Sequence, residues 1–109
     1  MLDESAEVVL RWPRLWSALV AMASLDAYIR TSRPDGTFDG AAGLAASGEV
    51  IIAVTTVLCA AARGNRSGTF GSYVCTARRL RRGPTAQFYK SALDAAATVR
   101  QEWLHTRAA

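Results

Sequence analysis

The most apolar stretch of this 109-residue chain, residues 41–62, decides between the fold classes open to it. Seven of the eight residues in 50–57 are β-branched, a composition that favours a strand. A lone strand cannot satisfy its ladder hydrogen bonds, and the sequence contains no second β-rich run to pair with it. We therefore predict a buried central helix near 41–62, apolar on nearly all sides.

The same stretch also approaches the ~20 residues that a membrane span needs. Against a span stand the charge of Glu49 near its middle, two glycines and the low hydrophobicity of its alanines. The first residues are acidic (Asp3, Glu4, Glu7), which is the wrong charge for a secretory leader. We expect no membrane association and a cytoplasmic location.

Three further helices are predicted from apolar spacing and from turn signals. One runs from Pro13 to about Thr31, one from Thr69 to Arg82, and one from Pro84 to about Thr106. Residues 3–11 add a short acidic helical start. The connections contain glycine and proline and are short, so the expected fold is all-α: a compact up-and-down bundle of about four helices forming a single domain over 1–109.

Charge is distributed very unevenly along the chain. Residues 1–54 carry four basic and seven acidic side chains, whereas residues 55–109 carry nine basic and two acidic ones. No acidic residue occurs between Glu49 and Asp94. Clustered arginines bind phosphate and carboxylate groups bidentately, so this interval predicts contacts with a nucleic-acid backbone. The predicted contact residues are Arg63, Arg66, Arg78, Arg79, Arg81, Arg82 and Lys90.

Two alternatives to this interpretation stay open. The arginines could form a solvated face that serves only solubility, and their abundance over lysine could reflect a GC-rich genome. The turn at 63–68 and the end of the helix predicted over Thr69–Arg82 lie at opposite ends of that helix, about 20 Å apart. We therefore expect the basic residues to form a stripe rather than a compact pocket.

A second predicted contact region lies at the start of the first long helix. Trp12 and Trp16 are four residues apart, with Arg11 and Arg14 beside them. Trp and Arg are the residue types that dominate interface hot spots, so these four residues form either part of the core or a docking patch for a protein partner.

Catalytic and metal chemistry find little support in the sequence. His105 is the only histidine, and the carboxylates show no ligand spacing apart from the acidic start of the chain. Cys59 and Cys75 are expected to be buried and reduced, with an interhelical disulfide as the alternative. Glu49 is expected in the first turn of its helix, or else buried against an arginine. We predict no enzyme activity, no metal and no cofactor.

The expected function is that of a small non-catalytic helical subunit of a larger assembly, with nucleic acid (RNA first) and other protein subunits as partners. Arginine-bearing helical subunits of CRISPR-type ribonucleoproteins illustrate this class by size, charge and fold class alone. An adaptor or inhibitor that docks on an acidic protein surface is the alternative, and a subunit with a shared active site is a third. The alanine-rich core is small, and oligomerisation would add to its stability.

Overall fold

Five helices make up the part of the chain that the computed structural model describes, residues 3–31, 45 and 47–108. They are α1 (Glu4–Arg11), α2 (Pro13–Thr31), α3 (Gly48–Ala62), α4 (Gly68–Arg82) and α5 (Ala86–Ala108). Among the described residues there is no strand, which confirms the predicted fold class. The radius of gyration, 13.5 Å, is that of a compact globule of this length.

The helix beyond the four predicted ones is α1, since the sequence predicted only a short acidic helical start there. Asp3 caps it by accepting a hydrogen bond from the Ala6 backbone N–H at 2.8 Å, and Val8 and Val9 are buried. Pro13 separates α1 from α2, because proline supplies no N–H and disfavours helical dihedrals at the residue before it. Trp12 accordingly leaves the helical region, with φ −127° and ψ 62°.

The central helix is α2 and not α3, which corrects the prediction. α2 packs against each of the other four helices, whereas α3 contacts α1, α2 and α4. One face of α3 is open to solvent although it is apolar: Ile52 is 68% exposed and Ala53 beside it is exposed as well. The predicted start of this helix at Ala41 lies outside the described residues, while Ala45 is helical and fully buried.

The turn between α3 and α4 forms as its glycine predicts. Gly64 has φ +84°, the left-handed conformation that favours glycine. The Gly64 N–H donates to the Ala61 carbonyl (3.0 Å) and the Asn65 N–H to the Ala60 carbonyl (2.9 Å), the Schellman pattern of a helix end.

Close packing of small residues joins α2 to α5. Ala21 of α2 and Ala92 and Ala96 of α5 are fully buried. On α5 the inward aromatic residue is Tyr89, 1% exposed, whereas Phe88 beside it is 48% exposed. The Tyr89 hydroxyl donates to the Ala18 carbonyl at 3.3 Å.

Arg100 of α5 also binds the start of α2. Its Nη1 donates to the Pro13 carbonyl at 2.9 Å and to the Ser17 hydroxyl at 2.6 Å. This charged group is therefore held in the structure by α2 and is not part of an open basic surface. None of the described helices is both long and apolar enough to span a membrane.

Candidate nucleic-acid interface

In the described part of the chain, the strongest concentration of positive charge lies where α4 ends and α5 begins. We call Arg78, Arg79, Arg81, Arg82 and Lys90 the basic corner; all five side chains are exposed. The apolar stripe of α4 explains the exposure of its arginines, because Ala77 is buried and Leu80 half-buried against α2 and α5, which leaves the arginines on either side of Leu80 facing solvent.

Gly83 shapes the corner by ending α4. A Cβ atom at this position would lie 3.2 Å from the Arg79 carbonyl oxygen, so a larger residue would crowd the last turn. Pro84 follows, and α5 starts at Ala86. The chain thus reverses within a few residues and places Lys90, in the second turn of α5, near the last turn of α4.

The local electrostatics of the corner favour an anion. Neither α4 nor the first turn of α5 contains an acidic residue. The first carboxylate along α5 is Asp94, which is exposed one turn beyond Lys90. Three of the arginines lie in the last turn of α4, where cations complement the helix dipole.

A groove opens within the basic corner, which the sequence did not predict. It has a volume of about 400 Å³ and is lined by Arg81, Ala86, Gln87, Tyr89, Lys90 and Leu93. Burial raises the pKa of the Tyr89 phenol, and the positive charge of Arg81 partly opposes the rise. The spacing of Ala86, Lys90 and Leu93, four and three residues apart, is the signal that could have placed them on one face of α5.

The two remaining predicted nucleic-acid contacts, Arg63 and Arg66, precede the N-terminus of α4, away from the basic corner. Thirteen residues of α4, Gly68 to Leu80, lie between Arg66 and Arg81, about 20 Å of helix at ~1.5 Å per residue. Arg63 forms a salt bridge with Glu4 of α1, which neutralises part of its charge. The Arg66 guanidinium lies over the Phe70 ring, 5.9 Å from its centroid.

Arg66 instead shares a cleft with Trp12. The cleft, of about 150 Å³, lies between α2, α3 and α4 and is lined by Trp12, Leu15, Leu58, Ala61, Ala62, Arg66 and Phe70. Arg11 lies over the half-buried Trp12 ring at 5.3 Å, and Arg14 is exposed nearby in sequence. Part of the predicted docking patch is therefore at the surface.

Trp16 does not belong to that patch, which is a correction. Its side chain is 0% exposed, and its Nε1 donates to the Thr55 hydroxyl at 2.9 Å, so it joins α2 to α3 inside the core. The i, i+4 spacing of Trp12 and Trp16 is compatible with a place in the core or in a surface patch. In the fold Trp16 lies in the core, whereas Trp12 is half-buried.

The residues considered for chemistry are dispersed. Glu49 is exposed in the first turn of α3, two residues after the N-cap Ser47, as its position predicted; it is not buried against an arginine. Cys59 is buried and Cys75 is exposed, contrary to the expectation that both are buried, and the two thiols are free. Burial raises the pKa of the Cys59 thiol, which disfavours a reactive thiolate.

Metal binding has no candidate in the described part of the chain, where no three potential ligands come together. Comparisons with protein-family models, with curated protein sequences and with solved structures found no match. In the described residues, the candidate contact sites are therefore the basic corner and the Trp12 cleft.

Proposed function

We propose that this protein is a non-catalytic helical subunit that contacts a nucleic-acid backbone, RNA in the first instance, through the basic corner. The observation that carries the proposal is the grouping of five exposed cations at the α4–α5 turn, with no acidic residue in α4 or in the first turn of α5. Four of the five are arginines, whose guanidinium groups bind phosphate bidentately and stay charged at any physiological pH.

The test is the salt dependence of binding to a fluorescent single-stranded RNA. Five phosphate contacts predict that log Kd changes with log salt concentration with a slope of about 3.5. Replacing Arg78, Arg79, Arg81 and Arg82 by glutamine should lower the slope by about 3 and weaken binding strongly at low salt. Circular dichroism would confirm that helicity is unchanged.

A matched control removes the same net charge elsewhere. The variant Arg11→Gln, Arg14→Gln, Arg63→Gln, Arg66→Gln also loses four exposed arginines. We expect it to bind RNA with nearly the wild-type salt slope. Equal loss of binding in both variants would show that net charge, and not the basic corner, attracts the RNA, and binding that is insensitive to salt would contradict the proposal.

The Trp12 cleft favours a second function, docking on an acidic protein surface. It combines an apolar interior with Arg66 and with Arg11 stacked on Trp12, the residue types found at interface hot spots. A subunit of a larger assembly needs such a contact in addition to its nucleic-acid contact. If the control variant loses a partner subunit while the corner variant retains it, the two surfaces serve different partners.

A further inference from the structure

The groove in the basic corner has a composition that phosphate binding alone does not require. Its interior is apolar, formed by Ala86, the half-buried Leu93 and the nearly buried Tyr89, and its volume of about 400 Å³ falls within the range of small-ligand sites, ~300–1,000 Å³. A surface that only tracks a phosphate backbone needs cations but no apolar cavity.

The polar groups of the groove suit a flat heterocycle flanked by phosphates. Arg81 and Lys90 contribute cations, and the planar guanidinium of Arg81 can stack on an aromatic ring. Gln87 supplies an amide that both donates and accepts hydrogen bonds, as the edge of a nucleobase requires. Cations, an apolar lining and one amide thus occur together in this open groove.

We infer that this groove holds one unstacked base of a single-stranded nucleic acid, while the surrounding arginines bind the adjacent phosphates. The inference rests on the proposed function and specifies its ligand class as single strand over duplex. Bases in a duplex are stacked and paired, so they cannot enter a groove on a convex helical surface without an energetic cost of opening. An acidic peptide with an apolar side chain is the competing occupant, and the test includes it.

The test compares four probes: a single-stranded RNA, a phosphodiester oligomer of equal length that lacks bases, an RNA duplex, and a glutamate-rich peptide that contains one leucine. The wild-type protein should bind the single strand about 5- to 150-fold more tightly than the oligomer without bases, the contribution of one stacked base. The duplex and the peptide should bind more weakly than the single strand.

Ala86→Leu fills the groove without changing charge and supplies the decisive variant. It should reduce binding of the single strand to the level of the oligomer without bases, with the salt slope unchanged. Gln101→Leu introduces the same residue at an exposed position of the same helix outside the groove and should have no effect. Thermal unfolding of both variants checks that the fold is intact.

The outcomes separate this inference from the proposed function. Equal, salt-sensitive binding of the single strand and the oligomer without bases would overturn the inference and leave the proposed function in place. Absence of binding to any nucleic acid would overturn both. Tight binding of the peptide that Ala86→Leu abolishes would assign the groove to a protein partner and would also overturn the inference.

Discussion

At the scale of single residues, the buried polar groups show where stability depends on one hydrogen bond. The Trp16 indole is 0% exposed, and its N–H donates to the Thr55 hydroxyl. Thr55→Val keeps the side-chain volume but leaves this donor unsatisfied, so we expect the free energy of unfolding to fall by about 1–3 kcal/mol. Urea unfolding followed by fluorescence measures the change.

Thr56→Val is the matched control, because Thr56 is exposed on the same helix. It should change the free energy of unfolding by less than about 0.5 kcal/mol. If both threonine variants lost the same stability, the loss would come from a valine in α3 and not from the missing hydrogen bond.

Tyr89 predicts a loss of stability at alkaline pH. Burial raises the pKa of its phenol, opposed in part by Arg81, so the folded protein retains a proton that the unfolded chain releases. The contribution of the protonated Tyr89 phenol to the free energy of unfolding is complete below the ordinary tyrosine pKa of about 10. It is lost as the pH rises through the pKa that the phenol has in the folded protein. Urea midpoints measured across that range should fall more steeply for wild type than for Tyr89→Phe, and parallel curves would contradict the assignment.

At the scale of helices, the N-caps of α1 and α3 differ although both residue types are good caps. Asp3 accepts a hydrogen bond from the Ala6 N–H and also pairs with Arg107, whereas the Ser47 side chain makes no cap hydrogen bond. Asp3→Ala should therefore lower the free energy of unfolding by about 1–2 kcal/mol. Ser47→Ala should be nearly neutral. Thermal unfolding of the two variants, with a fall of several degrees expected only for Asp3→Ala, compares them.

At the scale of the whole molecule, α2 links the other helices into one cooperative unit. It contacts all four, and one core cluster includes Val9 of α1, Leu19 of α2, Leu58 of α3 and Ala96 of α5. We expect unfolding curves from tryptophan fluorescence and from far-ultraviolet circular dichroism to coincide in a single transition. Separate transitions would show that α1, or the α4–α5 pair, unfolds independently of the rest.

The sequence alone determined which segments are helical and where most of them end. The helix from Pro13 to Thr31 was predicted with the bounds that the structure has, and the predicted helix from Thr69 to Arg82 begins one residue earlier, at Gly68. Helical spacing and the glycine and proline signals are local, since each depends on the backbone within a turn or two. For the same reason the outward position of the arginines could be predicted from the apolar stripe of α4.

Only the tertiary structure decided which helix is central and which cations lie together. The apolar composition of α3 predicted that this helix lies at the centre of the bundle, but α2 lies there instead. Buried small residues of α2 and α5 allow these two helices to pack closely against each other. Likewise Arg63 pairs with Glu4, whereas Arg81 and Lys90 line the same groove. Such contacts depend on how separate helices pack, and the periodicity of one helix carries no information about its neighbours.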